Sequence, residues 1–283
     1  MNFVASIIVP LKNQVDAWLD QSVRSALCQR TPCQVLVVCS ESTPKSNRNV
    51  LETLQGEYDN LRVLIEEKPG NFPAAINLGI QQAAADRIGL LLSDDWLSLE
   101  AVTECLPLDT DIVCTGQTTY YADGVTVHDE ASQTLRMAEF EAQPTLEAKA
   151  RYLEHFFLFR RAALVKAGGL DETLGNFPGI DDYELIWTLL EQGASVAIVE
   201  KRLYHYRDHS GERLTLADAT QASQNLAKIL RKHHIPEQDL PEMVRAHARW
   251  YGKPIYEALA ELSRERPSCR TAGKLGLQSS NQA

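Results

Sequence analysis

Two pairs of adjacent aspartates are the residues of this 283-residue chain whose types and spacing best fit catalytic chemistry. Asp94-Asp95 follows the apolar run at residues 88–92, and Asp181-Asp182 precedes a stretch with helical periodicity. Hard divalent cations prefer carboxylate oxygens as ligands, and a carboxylate can also take a proton from a reacting hydroxyl group. Acids before a helix also stabilise its positive N-terminal end, so each pair has a structural interpretation beside the chemical one.

Strand-like and helix-like segments alternate through the first hundred residues, and this order indicates where the first acidic pair lies. Apolar runs predict strands at residues 3–9, 33–39, 61–65 and 88–92, and the first of these strands ends at Pro10. Apolar residues at helical spacing predict a helix at residues 15–27. A short helix ending near residue 54 and an alanine-rich helix at residues 73–85 are also predicted. This order predicts an α/β fold with a mostly parallel sheet and helices on both faces. Ligands bind such sheets at the carboxyl ends of the strands, which is where Asp94-Asp95 would lie.

The pattern after residue 100 is more mixed. Strands are predicted at residues 111–120, 156–159 and 195–199, and helices at residues 162–167, 182–192, 217–233 and 240–264. Asp123-Gly124 predicts a hairpin turn into residues 125–127, and residues 129–146 lack periodicity and predict a mobile loop. An apolar stripe on the last helix favours packing on the core or on a partner over membrane binding.

The composition excludes some partners and favours a compartment. The net charge of −10, from 28 basic and 38 acidic residues, argues against binding a nucleic-acid backbone over a broad surface. No apolar run approaches the 18 residues typical of a transmembrane segment, and the first residues lack the shape of a signal peptide. Six cysteines without CxxC spacing favour reduced thiols. We therefore expect a cytoplasmic protein, with a peripheral location at the inner membrane face left open.

Five segments resemble, in order, the motifs of family-2 glycosyltransferases. They are IIVPLKN (7–13), AAINLGI (74–80), LLSDDWL (91–97), GGLDETLGNFPGIDDYELIWTLLEQG (168–193) and YRDHSGERLT (206–215). Each segment is weak evidence alone, but five in the family order are specific. The resemblance implies a GT-A-type, Rossmann-like domain over residues 1–215, with a nucleotide-sugar half at about 1–97 and an acceptor and catalytic half at about 98–215. A C-terminal helical extension (216–266) and a disordered tail (267–283) would follow.

The resemblance also implies how the donor is bound. Asp95 and His209 would bind Mn²⁺ or Mg²⁺, for which carboxylate and imidazole are suitable ligands, and Asp94 would contact the ribose or a metal-bound water. An exposed histidine without a role is the simpler interpretation of His209. Arg207 and Arg213 could meet phosphate charge. The further nucleotide contacts implied are Pro10, Leu11, Asn13, Ser40, Glu41, Asn71 and Asn77.

The second acidic pair occupies the place of the family's Glu-Asp pair. By resemblance Asp182 is the general base that takes the proton of the acceptor hydroxyl, and Asp181 orients the acceptor. Aspartate is also a favourable residue at a helix N-terminus, so a capping role and a catalytic role are compatible here.

Three departures from the family pattern leave the identity of the bound nucleotide undecided. The usual V-D-D-G-S-T is Val38–Thr43 (VCSEST) here, so that both aspartates are lost and Ser40 or Glu41 would have to substitute. Ile76 replaces an arginine commonly found in the third predicted helix, and Leu92 replaces an aspartate before Ser93.

The hypothesis that follows is an inverting glycosyltransferase that uses a nucleoside-diphosphate sugar, by default a UDP-sugar, and a glycan or lipid-linked acceptor. The alternative is a catalytically silent relative that binds a nucleotide sugar or a glycan. A sugar nucleotidyltransferase would need a glycine-rich loop after the first strand, and residues 10–13 offer none. A homodimer through the C-terminal helices is a further arrangement that the apolar stripe allows.

Overall fold

The computed structural model describes residues 3–66, 70–123, 126–174, 181–209 and 219–248. Its strands are β1 (Ala5–Leu11), β2 (Cys33–Cys39), β3 (Leu61–Ile65), β4 (Arg87–Leu90), β5 (Trp96–Leu97), β6 (Ile112–Asp123), β7 (Thr126–Gln133), β8 (Phe157–Arg160) and β9 (Val196–His209). Its helices are α1 (Asp16–Leu27), α2 (Lys45–Glu57), α3 (Phe72–Gln82), α4 (Ala101–Cys105), α5 (Met137–Glu141), α6 (Leu146–Tyr152), α7 (Arg161–Ala167), α8 (Asp181–Glu191), α9 (Ala219–Lys232) and α10 (Leu240–Ala248). A short 3-10 turn covers Glu172–Leu174.

The strands form one sheet in the order β3-β2-β1-β4-β8-β6-β9-β5, with β7 paired to β6. The first four strands are parallel, as the alternation of strands and helices predicts. Alternate residues of β1 belong to different hydrophobic clusters. Ile8 lies in the cluster that contains residues of α3 and α8, and Ile7 and Val9 lie in the cluster that contains residues of α1 and α2. Helices therefore cover both faces, and the predicted α/β fold class is confirmed.

The prediction that the first strand ends at Pro10 is wrong, because β1 continues to Leu11. Pro10 lies opposite Val38 of β2, but β4 pairs with β1 only from Ser6 to Ile8. Ile8 accepts a hydrogen bond from the backbone of Leu91 on that side, and Pro10 faces the same side two residues later. No ladder bond is lost there, so a proline is tolerated.

The second half of the chain joins the first through β8. This strand is antiparallel to both β4 and β6, and lies between them. β9 runs parallel to β6 along nearly its whole length and extends to His209, ten residues beyond the predicted end at residue 199. The YRDH segment (206–209) forms the end of this strand, which pairs with Trp96-Leu97 of β5 through Tyr204 and His205.

The predicted loop at residues 129–146 is only partly a loop, because β7 extends to Gln133 and α5 covers residues 137–141. The predicted hairpin is confirmed by Asp123 pairing with Thr126, although residues 124–125 themselves lie outside the described residues. The sequence of β7, TVHDEASQ, is polar, and the strand forms by backbone hydrogen bonds to β6 rather than through an apolar pattern. Periodicity cannot detect such a strand.

The described part of the C-terminal extension packs on the main core. Leu226, Ile229 and Leu230 of α9 are fully buried in the same hydrophobic cluster as Ile186 and Trp187 of α8. The predicted boundary near residue 215 and the predicted tail (267–283) lie outside the described residues. Within the described ranges, no helix is both long enough and apolar enough to cross a membrane.

Candidate active site

Loops after β1, β2 and β4 converge at one edge of the sheet, because these strands are parallel neighbours. Pro10 and Leu11 end β1, and Asn13 follows in an exposed position. After β2, the buried Ser40 contacts Ser42 through its hydroxyl group, and Glu41 is exposed. The structure therefore brings these predicted nucleotide-binding residues to the edge at which Asp94 lies.

Asp95 is buried beneath this edge, with an exposed fraction of 1%. Its Oδ2 accepts a hydrogen bond of 2.6 Å from the Tyr204 hydroxyl, and its Oδ1 accepts one of 2.7 Å from the backbone N–H of Arg207. Burial and the nearby charge of Asp94 raise the pKa of Asp95 well above its ordinary value. Both oxygens are engaged inside the protein, so the geometry makes Asp95 an anchor between the loop and β9.

Asp94 points in a different direction from its neighbour. Its Oδ2 lies 3.2 Å from Nε2 of His209, and its side chain is 16% exposed. The His209 ring packs at 4.6 Å from the Trp18 ring, which fixes its position. The sequence analysis predicted Asp95 and His209 as the metal ligands, so their side chains were expected to be neighbours. In the structure the carboxylate beside His209 belongs to Asp94.

Arg207 fixes the acidic loop from the side. Its guanidinium group lies 4.8 Å from the ring centres of both Trp18 and Trp96, a favourable cation–π arrangement. It also donates hydrogen bonds to the backbone oxygen of Asp94 at 2.9 Å and to Oε1 of Gln21 at 2.7 Å. With an exposed fraction of 6%, Arg207 is placed to hold the loop, whereas the sequence suggested a phosphate contact. Arg213 lies outside the described residues.

Asp182 lies in the first turn of α8 and is 26% exposed. Its Oδ1 accepts a hydrogen bond of 2.9 Å from the backbone N–H of Tyr183, and its Oδ2 lies 3.1 Å from Nε2 of His155. Burial, the largest influence, would raise the pKa of Asp182, but the bond to His155 and the backbone bonds reverse this and lower it. The carboxylate is therefore held in its charged form. Asp181 begins the same helix, but its side chain lies outside the described residues.

Two of the three predicted asparagines, Asn71 and Asn77, connect α3 to residues 170–172. The side chain of Asn71 caps α3 through the N–H of Ala74 and donates to the backbone oxygen of Glu172. Asn77 exchanges two hydrogen bonds with the backbone of Leu170, at 2.8 and 2.9 Å. Gly169 permits this approach, since its φ is 76° and a Cβ would collide with the Asn77 amide. Their predicted contact with the nucleotide stays a prediction, and the geometry favours a structural role.

His155 is the residue of this site that the sequence analysis missed. It belongs to none of the five motifs, and the apolar run after it indicated only a strand. Its ring stacks on Tyr204 at 5.2 Å between ring centres, and the Tyr204 hydroxyl binds Asp95. A continuous series of contacts therefore runs from Asp182 through His155 and Tyr204 to the acidic loop, and the two acidic pairs belong to one site.

A parallel half-sheet with an acidic loop at its carboxyl edge, and a second carboxylate on a helix beside it, is the arrangement expected of a GT-A-type glycosyltransferase. The chain belongs to glycosyl transferase family 2, whose family model matches residues 6–168. This match covers the acidic loop and His155, and it ends before α8.

Individual relatives agree with the family. The chain is 27% identical over 197 residues to a chondroitin synthase of Pasteurella multocida, covering 67% of this chain and 19% of the relative. It is 24% identical over 181 residues to the putative glycosyltransferase EpsH of Bacillus subtilis, covering 62% and 52% of the two chains. This chain therefore spans about a fifth of the former and about half of the latter.

Solved structures share the fold. The crystal structure of S. aureus TarS 1–349 in complex with UDP-GlcNAc superposes with a TM-score of 0.60 and 17% identity, covering 92% of this chain and 72% of that one. At this identity the likeness concerns the fold alone.

Cys39 is predicted to be a packing residue and not a nucleophile. It ends β2 fully buried, its Sγ lies 3.6 Å from the backbone oxygen of Leu64, and burial raises the pKa of its thiol. A buried thiol with a raised pKa is a poor nucleophile, so we expect Cys39→Ser to retain most transferase activity. The measurement is turnover before and after treatment with a thiol reagent. Rapid inactivation of the unmodified protein but not of Cys39→Ser would contradict this expectation.

Proposed function

We propose that this chain transfers a sugar from a nucleoside-diphosphate sugar to a hydroxyl group, with inversion at the anomeric carbon. The donor is a UDP-sugar by default, and the acceptor is a glycan or a lipid-linked sugar. The observation that carries the proposal is the series of contacts Asp182–His155–Tyr204–Asp95, because it places a charged carboxylate and the acidic loop in one site. Family membership supports the same reaction class.

Asp94 and His209 are the residues that would hold a divalent cation, Mn²⁺ or Mg²⁺. The described residues contain no group of three or more His, Cys, Asp or Glu side chains that could hold a metal ion. One carboxylate and one imidazole nevertheless fit the family's chemistry, since Mg²⁺ commonly takes one or two protein ligands together with substrate phosphates. A bound cation would neutralise the charge of the departing diphosphate.

Asp182 supplies the base in this proposal. The acceptor oxygen forms a bond to the anomeric carbon while its proton passes to the Asp182 carboxylate. The bond from the anomeric carbon to the diphosphate breaks, and its electron pair leaves with the nucleoside diphosphate. The lowered pKa of Asp182 keeps the carboxylate ionised at neutral pH, the state in which it can take the acceptor proton.

The TarS structure with a similar fold was solved in complex with UDP-GlcNAc, and this complex supports a UDP-sugar as the donor. Asn13, Ser40 and Glu41 follow β1 and β2 at the same edge of the sheet and would contact the nucleoside. We further propose a cytoplasmic location. A peripheral position at the inner membrane face and a homodimer through the C-terminal helices stay predictions, and residues 249–283 lie outside the described residues.

Nucleotide binding provides the first test. We expect UDP with Mn²⁺ to raise the melting temperature more than GDP, dTDP or CDP, and more than UDP with a chelator. A ligand at 100 times its Kd stabilises the folded state by about 2.7 kcal/mol, which corresponds to roughly 5–10 °C for a domain of this size. A thermal-shift screen makes the measurement. No shift with any nucleotide would contradict the proposal.

Donor hydrolysis separates the transferase from a silent binding protein. A transferase is expected to release UDP slowly from a UDP-sugar even without acceptor, because water can replace the acceptor hydroxyl group. A thermal shift without any hydrolysis or transfer would favour the catalytically silent relative.

A further inference from the structure

Among the side chains that the structure describes, His155 is the titratable group paired with the proposed base. Its Nε2 lies 3.1 Å from Oδ2 of Asp182, and its Nδ1 is buried without a hydrogen-bond partner among the described residues. Nε2 is therefore paired with Asp182, and Nδ1 binds no other described group. Among the described residues, Asp182 is the hydrogen-bond partner of the His155 ring.

The core fixes the orientation of this ring. His155 stacks on Tyr204 with 5.2 Å between ring centres and an angle of 26°, and it meets Phe157 edge-on at 5.4 Å. Tyr204 and Phe157 are fully buried, and Tyr204 is in turn fixed by its hydrogen bond to Asp95. Because Tyr204 and Phe157 hold the His155 ring on two sides, the direction of its Nε2 toward the Asp182 carboxylate is fixed.

The charges around His155 favour its protonated form. Burial, the largest influence, lowers the pKa of His155, but the hydrogen bond to Asp182 and the charges of Asp182, Asp95 and Glu154 raise it above its ordinary value. Glu154 precedes His155 in the chain, and burial raises its pKa to about 7. Asp95 approaches from the loop after β4, Asp182 from α8, and the neutral Tyr204 from β9. The pair is therefore an imidazolium beside a carboxylate.

We propose that His155 is the positioning residue of the general base: it fixes the direction of the Asp182 carboxylate and stabilises its negative charge. This inference rests on the proposed function, in which Asp182 receives the acceptor proton. His155 keeps its own proton throughout, so it does not relay the acceptor proton and is not itself a base. The remaining lone pairs of the carboxylate, which neither His155 nor the Tyr183 N–H uses, receive the proton.

The pH dependence of turnover distinguishes this role from a purely structural one. His155→Gln keeps a hydrogen-bond donor near the carboxylate but removes the positive charge, so the pKa of Asp182 rises. Asp182 is active when ionised, and the acid limb of the kcat–pH profile should therefore move to higher pH. We expect kcat at neutral pH to fall by about 10- to 100-fold, by analogy with partners that orient metal ligands, with an unchanged KM for the donor. His155→Asn, which has a shorter donor, should be more severe.

His234→Asn is the matched control, because it removes an exposed histidine at a position with a φ of 59°, where asparagine is tolerated. It should leave the kcat–pH profile unchanged. Each variant is first checked for folding by its melting temperature and by the shift on adding UDP and Mn²⁺. A wild-type acid limb and kcat in folded His155→Gln would overturn the inference.

A double-mutant comparison gives the second readout. If His155 acts through Asp182, His155→Gln should have no further effect on the residual rate of Asp182→Asn. Losses that multiply would show an independent structural role and overturn the inference. Full turnover of Asp182→Asn would instead overturn the base assignment of the proposed function, so the two failures are distinguishable.

NMR titration of His155 in the wild-type protein and in Asp182→Asn decides the matter if the histidine variants do not fold. Loss of the carboxylate should lower the pKa of His155. An unchanged titration would contradict the pairing.

Discussion

Asp182→Asn is expected to reduce transferase turnover by about 10²–10⁴-fold, the usual contribution of a general base. This corresponds to roughly 3–5 kcal/mol of transition-state stabilisation. Asparagine retains an oxygen that can accept the hydrogen bond from the Tyr183 N–H, so the first turn of α8 should remain intact. Donor affinity should be close to that of the wild type because the proposed donor contacts follow β1, β2 and β4, whereas Asp182 lies on α8.

The comparison requires turnover with a competent acceptor and donor affinity by calorimetry, measured on the same preparations. Asp181→Asn is the control, since it removes an equal charge from the same helix and is expected to cause a milder defect. Full turnover in Asp182→Asn would refute the mechanism, and the reverse pattern in the two variants would assign the base to Asp181.

Asp94→Asn is expected to abolish the Mn²⁺-dependent part of the thermal shift with UDP. The Asp94 carboxylate lies beside His209 and is partly exposed, and an amide is a much poorer ligand for a hard cation than a carboxylate. At a nucleotide concentration of 100 times Kd, the variant would forfeit up to about 2.7 kcal/mol of ligand stabilisation. The melting temperature without ligand should change little.

Asp95→Asn separates the two neighbouring acids. It places an amide in a buried position where Asp95 accepts hydrogen bonds from Tyr204 and Arg207, and a mismatched buried polar group costs about 1–3 kcal/mol. We therefore expect a lower melting temperature but a retained Mn²⁺-dependent shift. The opposite outcome, a stable Asp95→Asn without the metal-dependent shift, would restore the ligand assignment that the sequence suggested.

The first half of the fold was predictable because β1 and β2 are buried along their whole length and are almost entirely apolar. The strand VAIVEKRLYHYRDH (β9) was recognised only in part, because pairing with β6 sustains it through a polar stretch. Local sequence contains the signal for burial, but it does not contain the signal for a partner strand that lies about eighty residues away. Residues 129–133 of β7 were mistaken for a loop because they are polar and are held by backbone pairing with β6.

The sequence located the acidic loop but could not decide which acid faces the ligand. Asp94 and Asp95 are adjacent and chemically identical, and their directions are set by Tyr204 and Arg207, more than a hundred residues later in the chain. His155 is a similar case, since its partner Asp182 follows 27 residues later on another element. These contacts are properties of the folded chain and leave no local pattern.

The position of β8 has a consequence for how the chain folds. A strand from the later half lies between β4 and β6, so a fragment ending near residue 97 would expose the backbone of Ile88 and Gly89 along an open strand. Unpaired strands of this kind promote aggregation. We therefore expect the early and late parts of the sheet to fold together, and the first four strands of the nascent chain to need protection from aggregation until residues 157–160 have been synthesised.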